Sequence, residues 1–230
     1  MRISHLFILL AASAMLTACD FLDEYNPNSV TVGNYYTSEE DIVASLNGVY
    51  TSLTQSYVAD NYHYFTDVRA NATVVTNSGA NSGIPYQFYN YTLTEENVYV
   101  YNRYSQLYKI ISRANTLFAH LGDVSYATPS ARDTYEAEAR FLRALSYYWL
   151  VTEWGDVPLV LKVLESTEEV RANNYRRPKA EIYQAIFDDL KYVTESPLLD
   201  VQPASACGKV SKAAAVSYTH LRAHETPEHL

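Results

Sequence analysis

Apolar residues recur with a helical period in four stretches of this chain, and a long polar segment separates the first from the other three. In "TSEEDIVASLNGVYTSL", residues 37–53, Thr37 or Ser38 can cap, acidic residues fill the first turn, and Ile42, Leu46, Val49 and Leu53 share one face. That pattern predicts an amphipathic helix. From Tyr57 to about Thr94 the period disappears: Asn, Ser and Gly dominate, then Pro85 and a crowd of aromatics follow. This reads as a long loop with room for short strands. Loops of that length in compact domains are functional or disordered.

Helical spacing returns through "ENVYVYNRYSQLYKIISRANTLFAHL", with Tyr101, Tyr104, Leu107, Tyr108, Ile111, Ala114, Leu117 and Phe118 on the packed face and Glu95 and Glu96 in the first turn. A third helix is expected to start near Thr128-Pro129, a cap followed by a proline, and to stop at Gly155. Pro158 prevents its continuation. "RRPKAEIYQAIFDDLKYVTESPL" supplies a fourth, with Ile182, Ile186, Leu190 and Val193 inward and Pro197 beyond its end. Small residues at Ala114, Ala139 and Ala144 suggest antiparallel pairs stacked like tetratricopeptide repeats, although spacing alone does not fix that arrangement.

The amino terminus changes the picture. "MRISHLFILLAASAMLTAC" has one Arg, a short aliphatic run and small residues around a cysteine, the pattern of a secretory signal peptide too short to span a bilayer permanently. Leu16-Thr17-Ala18-Cys19 resembles a bacterial lipobox, which makes residues 1–18 a lipoprotein signal and Cys19 the lipidated start of the mature chain. Stable anchoring needs more than one acyl chain, which a triacylated cysteine provides. An ordinary signal with an incidental cysteine is the other reading. Asp20, Asp23 and Glu24 open a linker over residues 19–36 and resemble the acidic export signal of surface lipoproteins in Bacteroidetes; a solvated acidic linker is the alternative.

With Cys19 used, Cys207 is the one cysteine left, so the mature chain has no internal disulfide and depends on a packed core. A 48% hydrophobic, 19% charged composition supports such a core, and a formal charge of −9 gives no footing for nucleic acid. The unusual number is 22 tyrosines against 7 phenylalanines and 2 tryptophans. Tyrosine suits half-buried helix seams and also surfaces that must touch something both apolar and hydroxylated.

"GKVSKAAA", residues 208–215, is ready to begin a fifth helix, yet the chain then reads "VSYTHLRAHETPEHL" and loses its apolar period. His220 and His224 at i, i+4 would suit a zinc face. The stretch instead resembles a translated transposase-type sequencing adaptor, so residues 216–230 are expected to be an artefactual tail and no metal site is assigned.

Four segments, "TSEEDIVASLNGVYTSL", "YSQLYKIISRANTL", "EARFLRALSYYWLVTEWGDVPLV" and "RRPKAEIYQAIFDDLKYV", resemble in this order the amino-terminal half of the SusD/RagB family, and "GKVSKAAA" resembles the start of its next helix. The resemblance implies an all-α, tetratricopeptide-like scaffold over residues 37–215 with long irregular loops, truncated before its carboxy-terminal half. It also implies a non-catalytic surface lipoprotein of the outer membrane that binds an oligosaccharide, or in some members a peptide, and works with a SusC-like TonB-dependent transporter. No cofactor is implied. A helical scaffold that contacts only proteins is the competing class.

No nucleophile elbow, phosphate loop or zinc signature occurs in residues 19–215. The acidic residues Asp60, Asp67, Glu95, Glu96, Asp188 and Asp189 could in principle furnish a glycosidase pair. Plainer roles are expected: helix-dipole partners for Glu95 and Glu96, and a solvated helix side for Asp188 and Asp189. Arg140 and Arg143 are read as ion-pairing with carboxylates of a neighbouring helix. Sugar binding needs flat rings beside short polar groups. Asp67, Arg69 and Asn71 in "FTDVRANAT" and Tyr86, Phe88, Tyr89 and Tyr91 in "PYQFYNYT" supply both, and they are the expected ligand contacts. Trp149 and Trp154 are placed with the third helix and its exit.

Overall fold

The computed structural model describes residues 35–55 and 58–224, with side chains as far as Thr219. Cys19, the signal segment and the linker to Asn34 lie outside the described residues, as do the side chains of His220 and His224. Seven α-helices carry the description: α1 Glu39–Leu53, α2 Tyr86–Tyr89, α3 Val98–His120, α4 Ala131–Trp154, α5 Thr167–Asn173, α6 Lys179–Glu195 and α7 Lys212–His224. Among the described residues there is no strand, only an isolated antiparallel bridge between Val157 and Arg177. None of the helices described is long and apolar enough to cross a membrane.

Each long helix begins and packs for local reasons. Ser38 caps α1 through a capping box: its hydroxyl accepts the Asp41 amide while Asp41 accepts the Ser38 amide at 3.0 Å. Asn97 caps α3 by accepting the Tyr99 amide at 3.0 Å. Glu95 and Glu96 therefore precede that helix, and its first turn holds no acid. The side chain that satisfies the open amides belongs to Asn97. Helix α4 starts at Ala131, two residues later than Thr128-Pro129 suggests, because a turn closed by the Ala131 amide on the Thr128 carbonyl (3.1 Å) comes first. It ends at Gly155, whose φ of +73° and ψ of −121° are disfavoured for residues with a Cβ.

Cross-links between helices set their directions. Arg103 of α3 meets Glu153 near the end of α4, while Asn115 of α3 meets Arg143 near its middle, so the two run antiparallel. In the same way Arg143 and Glu136 of α4 meet Asp189 and Tyr192 of α6. Arg113 donates to the Gly48 carbonyl at 2.8 Å and joins α3 to α1. The result is an antiparallel tetratricopeptide-like array in which α3 packs on α1 and α4, α4 on α6, and α6 on α7. Its seam holds Ala114, Ala139 and Ala144, with Ile42, Leu46, Leu107, Leu117, Leu142, Ile186 and Val193 filling the core between the axes. Helix α7 crosses Val216 without a break; Ala215 is buried, and the Tyr218 ring meets Phe141 and Tyr148 edge-on at 5.7 and 5.5 Å.

Two expected placements are corrected. Tyr101, assigned to the packed face of α3, is 67% exposed. It lies in the first turn of α3, at the outer edge of the apolar stripe. Asp189, assigned to a solvated side, is buried while Asp188 stays outside. Asp189 follows Ile186 by three positions and Ala185 by four, which carries it onto the inward face.

The described residues of the long segment after α1 form no strands. They build a π-helical turn at Tyr64–Val68, a 3₁₀ turn at Ala80–Gly83 and the single-turn α2. These short pieces enclose a core of their own, made by Phe65, Val68, Phe88 and Tyr99. The aromatic crowding supplies that core, and a strand ladder is unnecessary. The connection after α4 is clamped as well: Asn115 donates to the Val160 carbonyl at 2.9 Å, and the Tyr147 hydroxyl accepts the Val160 amide at 2.7 Å.

Candidate functional site

The loop between α1 and α3 is fixed by three locks, two that reach the scaffold and a third inside the loop itself. The first is Arg103, whose wholly buried guanidinium donates to both oxygens of Glu153 at 2.7 and 2.6 Å and to the Val58 carbonyl at 3.4 Å. The same cation faces the rings of Tyr62, Phe65 and Trp149 at 4.9, 4.8 and 5.5 Å, so it holds the π-helical turn against α3 and α4. Burial raises the Glu153 carboxyl above its ordinary range, and the Arg103 charge works in the other direction.

The second lock is the buried Asn97, which caps α3 and also donates to the Ile84 carbonyl at 3.1 Å and the Gln87 side chain at 2.9 Å. It thereby fixes α2 to the start of α3. The third is Tyr91, whose hydroxyl donates to the Arg69 carbonyl at 2.9 Å. Tyr91 sits at φ +58° with its residue 67% exposed. A non-glycine residue in the left-handed region carries strain, which persists only where its surroundings hold it.

The expected site residues therefore fall into three groups. Arg69 and Tyr91 are joined directly, and exposed Asp67 and Asn71 lie on the same turn; Asn71 is also left-handed at φ +58°. Tyr86 and Tyr89, three apart on α2, stand with ring centroids 5.6 Å apart and tilted by 47°, each half-buried. Phe88 is taken by the loop core instead: it is 1% exposed and packs edge-on against Phe65 at 4.9 Å. Alternation around one helical turn turns Phe88 inward while Tyr86 and Tyr89 flank it.

The loop's far end borders a groove of about 660 Å³ that the sequence does not reveal as a unit. Its walls include Glu95, Tyr101, Tyr104, Trp154, Asp156 and Arg176. Those residues come from the loop end, α3, the α4 exit and the segment before α6, so no spacing links them; the one available signal is tyrosine at 101, 104 and 108. Arg140 and Arg143 do not reach the loop. They pair with Glu136 and Asp189, the structural role expected of them. Among the described residues, no group of three His, Cys, Asp or Glu is placed to hold a metal ion.

Residues 20–220 match the SusD-like family described as starch-binding and associating with the outer membrane. The chain belongs to that family. Among curated relatives, SusD-like protein P2 of Formosa agariphila is 28% identical over 218 residues, covering 94% of this chain and 41% of its own length. A SusD-like protein of Bacteroides ovatus is 25% identical over 207 residues, covering 84% of this chain and 35% of its own. This SusD-like chain thus spans about two fifths of the length of such relatives. Among solved structures, a laminarin-binding SusD-like protein superposes with a TM-score of 0.70 at 26% identity, covering 83% of this chain and 41% of that one. The surface glycan-binding protein A of Bacteroides thetaiotaomicron gives 0.63 at 19% identity over 83% of this chain and 41% of its own, a likeness of fold.

Proposed function

We propose that this chain is the amino-terminal part of a non-catalytic glycan-binding lipoprotein, anchored in the outer membrane through Cys19 and exposed at the cell surface. It holds an oligosaccharide on the face of the α1–α3 loop and delivers it to a SusC-like TonB-dependent transporter. The observation that carries the reading is the rigidly held loop face, on which Tyr91 keeps a largely exposed ring in a strained backbone conformation beside Arg69. A pyranose offers an apolar C–H face and an edge of hydroxyls. Tyr86, Tyr89 and Tyr91 provide rings for the first, and Asp67, Arg69 and Asn71 provide partners for the second. The laminarin-binding relative makes a neutral glucan the probe of choice.

The test is calorimetric titration of the full chain with laminarin oligosaccharides. Removing all three rings as Tyr86→Ala, Tyr89→Ala and Tyr91→Ala is expected to weaken binding on the order of a hundredfold, at ~1 kcal/mol per ring. Tyr91→Phe keeps the ring, loses the tie to Arg69 and should lie between. Phe88 is left intact because its truncation would hollow the loop core. Undiminished affinity in the triple variant would place the site elsewhere. Failure of the full chain to bind glycan or peptide while it still binds the transporter would favour a protein-contact scaffold.

A further inference from the structure

A second aromatic surface lies beyond the loop, on the outer face of α3. Tyr101, Tyr104 and Tyr108 recur at spacings of three and four and share one side of that helix. Tyr104 meets the Trp154 ring edge-on at 5.3 Å and the Tyr108 ring at 4.9 Å. Tyr108 is fixed by donating its hydroxyl to the Pro158 carbonyl at 2.7 Å. A purely structural role for this stripe would have it covered along its length. Tyr101 is 67% exposed instead, and the groove of about 660 Å³ opens beside it over Tyr104 and Trp154. Across Tyr104 a neighbouring hollow of about 400 Å³ reaches Asn173 and Asn174.

The polar rim has one anchored member. Asp156 accepts the Lys179 backbone amide at 2.9 Å, which keeps the carboxylate at the groove edge. The backbone that carries Arg176 is tied down beside it, since the Arg177 amide donates to the Val157 carbonyl at 2.9 Å. Glu95 enters from the loop end. The geometry points to a second carbohydrate subsite in this groove, taking neutral pyranose units with Tyr101 and Trp154 as platforms and Glu95, Asp156 and Arg176 as hydroxyl partners.

The charge balance selects the class of sugar. Two carboxylates against one guanidinium, on a chain of net −9, repel uronate and sulfated glycans but hydrogen-bond freely to hydroxyls. Glu95 follows Tyr91 by four residues, so their Cα atoms are at most ~14 Å apart, and one oligosaccharide can touch the loop face and the groove together. Joint contact raises affinity through effective concentration. The inference rests on the glycan-binding reading above and adds a place and a sugar class to it.

The test uses the full chain carrying Trp149→Phe, which leaves Trp154 as the remaining tryptophan of the two. Laminarihexaose is the probe, with tryptophan emission and calorimetry recorded on the same samples. A saturable change in Trp154 emission with the calorimetric midpoint is expected. Tyr101→Ala and Arg176→Ala, both at exposed positions, should each weaken hexaose binding about tenfold, or ~1.4 kcal/mol. An oligouronate should bind at least tenfold more weakly than the neutral hexaose. Undiminished binding heat in the Tyr101→Ala, Arg176→Ala double variant, with Trp154 emission unmoved by sugar, would overturn the subsite and leave the glycan reading standing. No binding heat from the unsubstituted chain would overturn that reading and the subsite with it.

Discussion

Replacing Arg103 with methionine is expected to destabilise the chain by about 3–5 kcal/mol and to free the loop between α1 and α3 from the scaffold. Methionine restores much of the stem's volume but none of its charge or donors. Glu153, whose side chain is 12% exposed, would keep a buried carboxylate without the two charge-assisted bonds that now compensate it. The rings of Tyr62, Phe65 and Trp149 would lose the cation they surround. A urea denaturation midpoint followed by circular dichroism measures the first effect. Faster amide exchange at Phe65 and Val68, both held in the π-helical turn, measures the second.

The same variant should acquire a pH dependence of defined sign. Burial already raises the Glu153 carboxyl, and removing Arg103 takes away the main opposing influence, so it rises further. An acid whose folded value lies above its unfolded one favours the folded state only when protonated. Its penalty is absent below the unfolded value, ~4.3, grows as pH climbs from there towards the raised folded value, and is complete above it. The deficit of Arg103→Met should thus be largest at neutral pH and shrink on acidification towards about pH 5. Adding Glu153→Gln should recover much of the loss at neutral pH. An equal deficit at both pH values would mean that lost packing, rather than the stranded carboxylate, accounts for the change.

Much of the scaffold was legible because its signal is periodic. The apolar positions of α1, α3, α4 and α6 repeat at helical spacing, and the buried faces observed hold nearly all of them. The boundaries were less legible, since the Asn97 cap competes with nearby acids and the Thr128 turn with a helix start. Asp189 was legible but overridden: its place after Ala185 and Ile186 puts it inward, whereas its charge argued outward. The loop offered aromatics without a period. Nothing in "PYQFYNYT" separates the inward Phe88 from the outward Tyr91; that division depends on Phe65, Asn97 and Tyr99, which lie outside this octapeptide and gather around Phe88 only on folding. The groove is hidden for the same reason, as Trp154, Asp156 and Arg176 meet only after α4 and the segment before α6 are clamped together.

That clamp leads to the second large effect: Asp189→Ala is expected to cost about 3–5 kcal/mol, against the ~5–15 kcal/mol by which domains are stable at all. Asp189 accepts from Arg143 through Nε at 2.8 Å and Nη2 at 2.7 Å, and from Arg140 at 2.9 Å. Without it, the buried Arg143 keeps only neutral acceptors among its close partners, the Asn115 side chain at 2.7 Å and the Leu161 carbonyl at 3.2 Å. Arg140 is in a different position, since its side chain is 27% exposed and retains Glu136 at 2.7 Å. Arg140→Ala should therefore lose only about 1 kcal/mol. Removing both buried charges together, as Arg143→Met with Asp189→Leu, should be more stable than Asp189→Ala alone, because the stranded cation is what carries the penalty. Denaturation midpoints of the three variants decide this, and equal losses for Arg140→Ala and Asp189→Ala would sink it. The consequence extends past stability. Arg143 also holds the Leu161 carbonyl, so it links α6 to the connection that carries Asp156, and Asp189→Ala should loosen that wall of the groove while leaving the Arg103 lock of the loop in place.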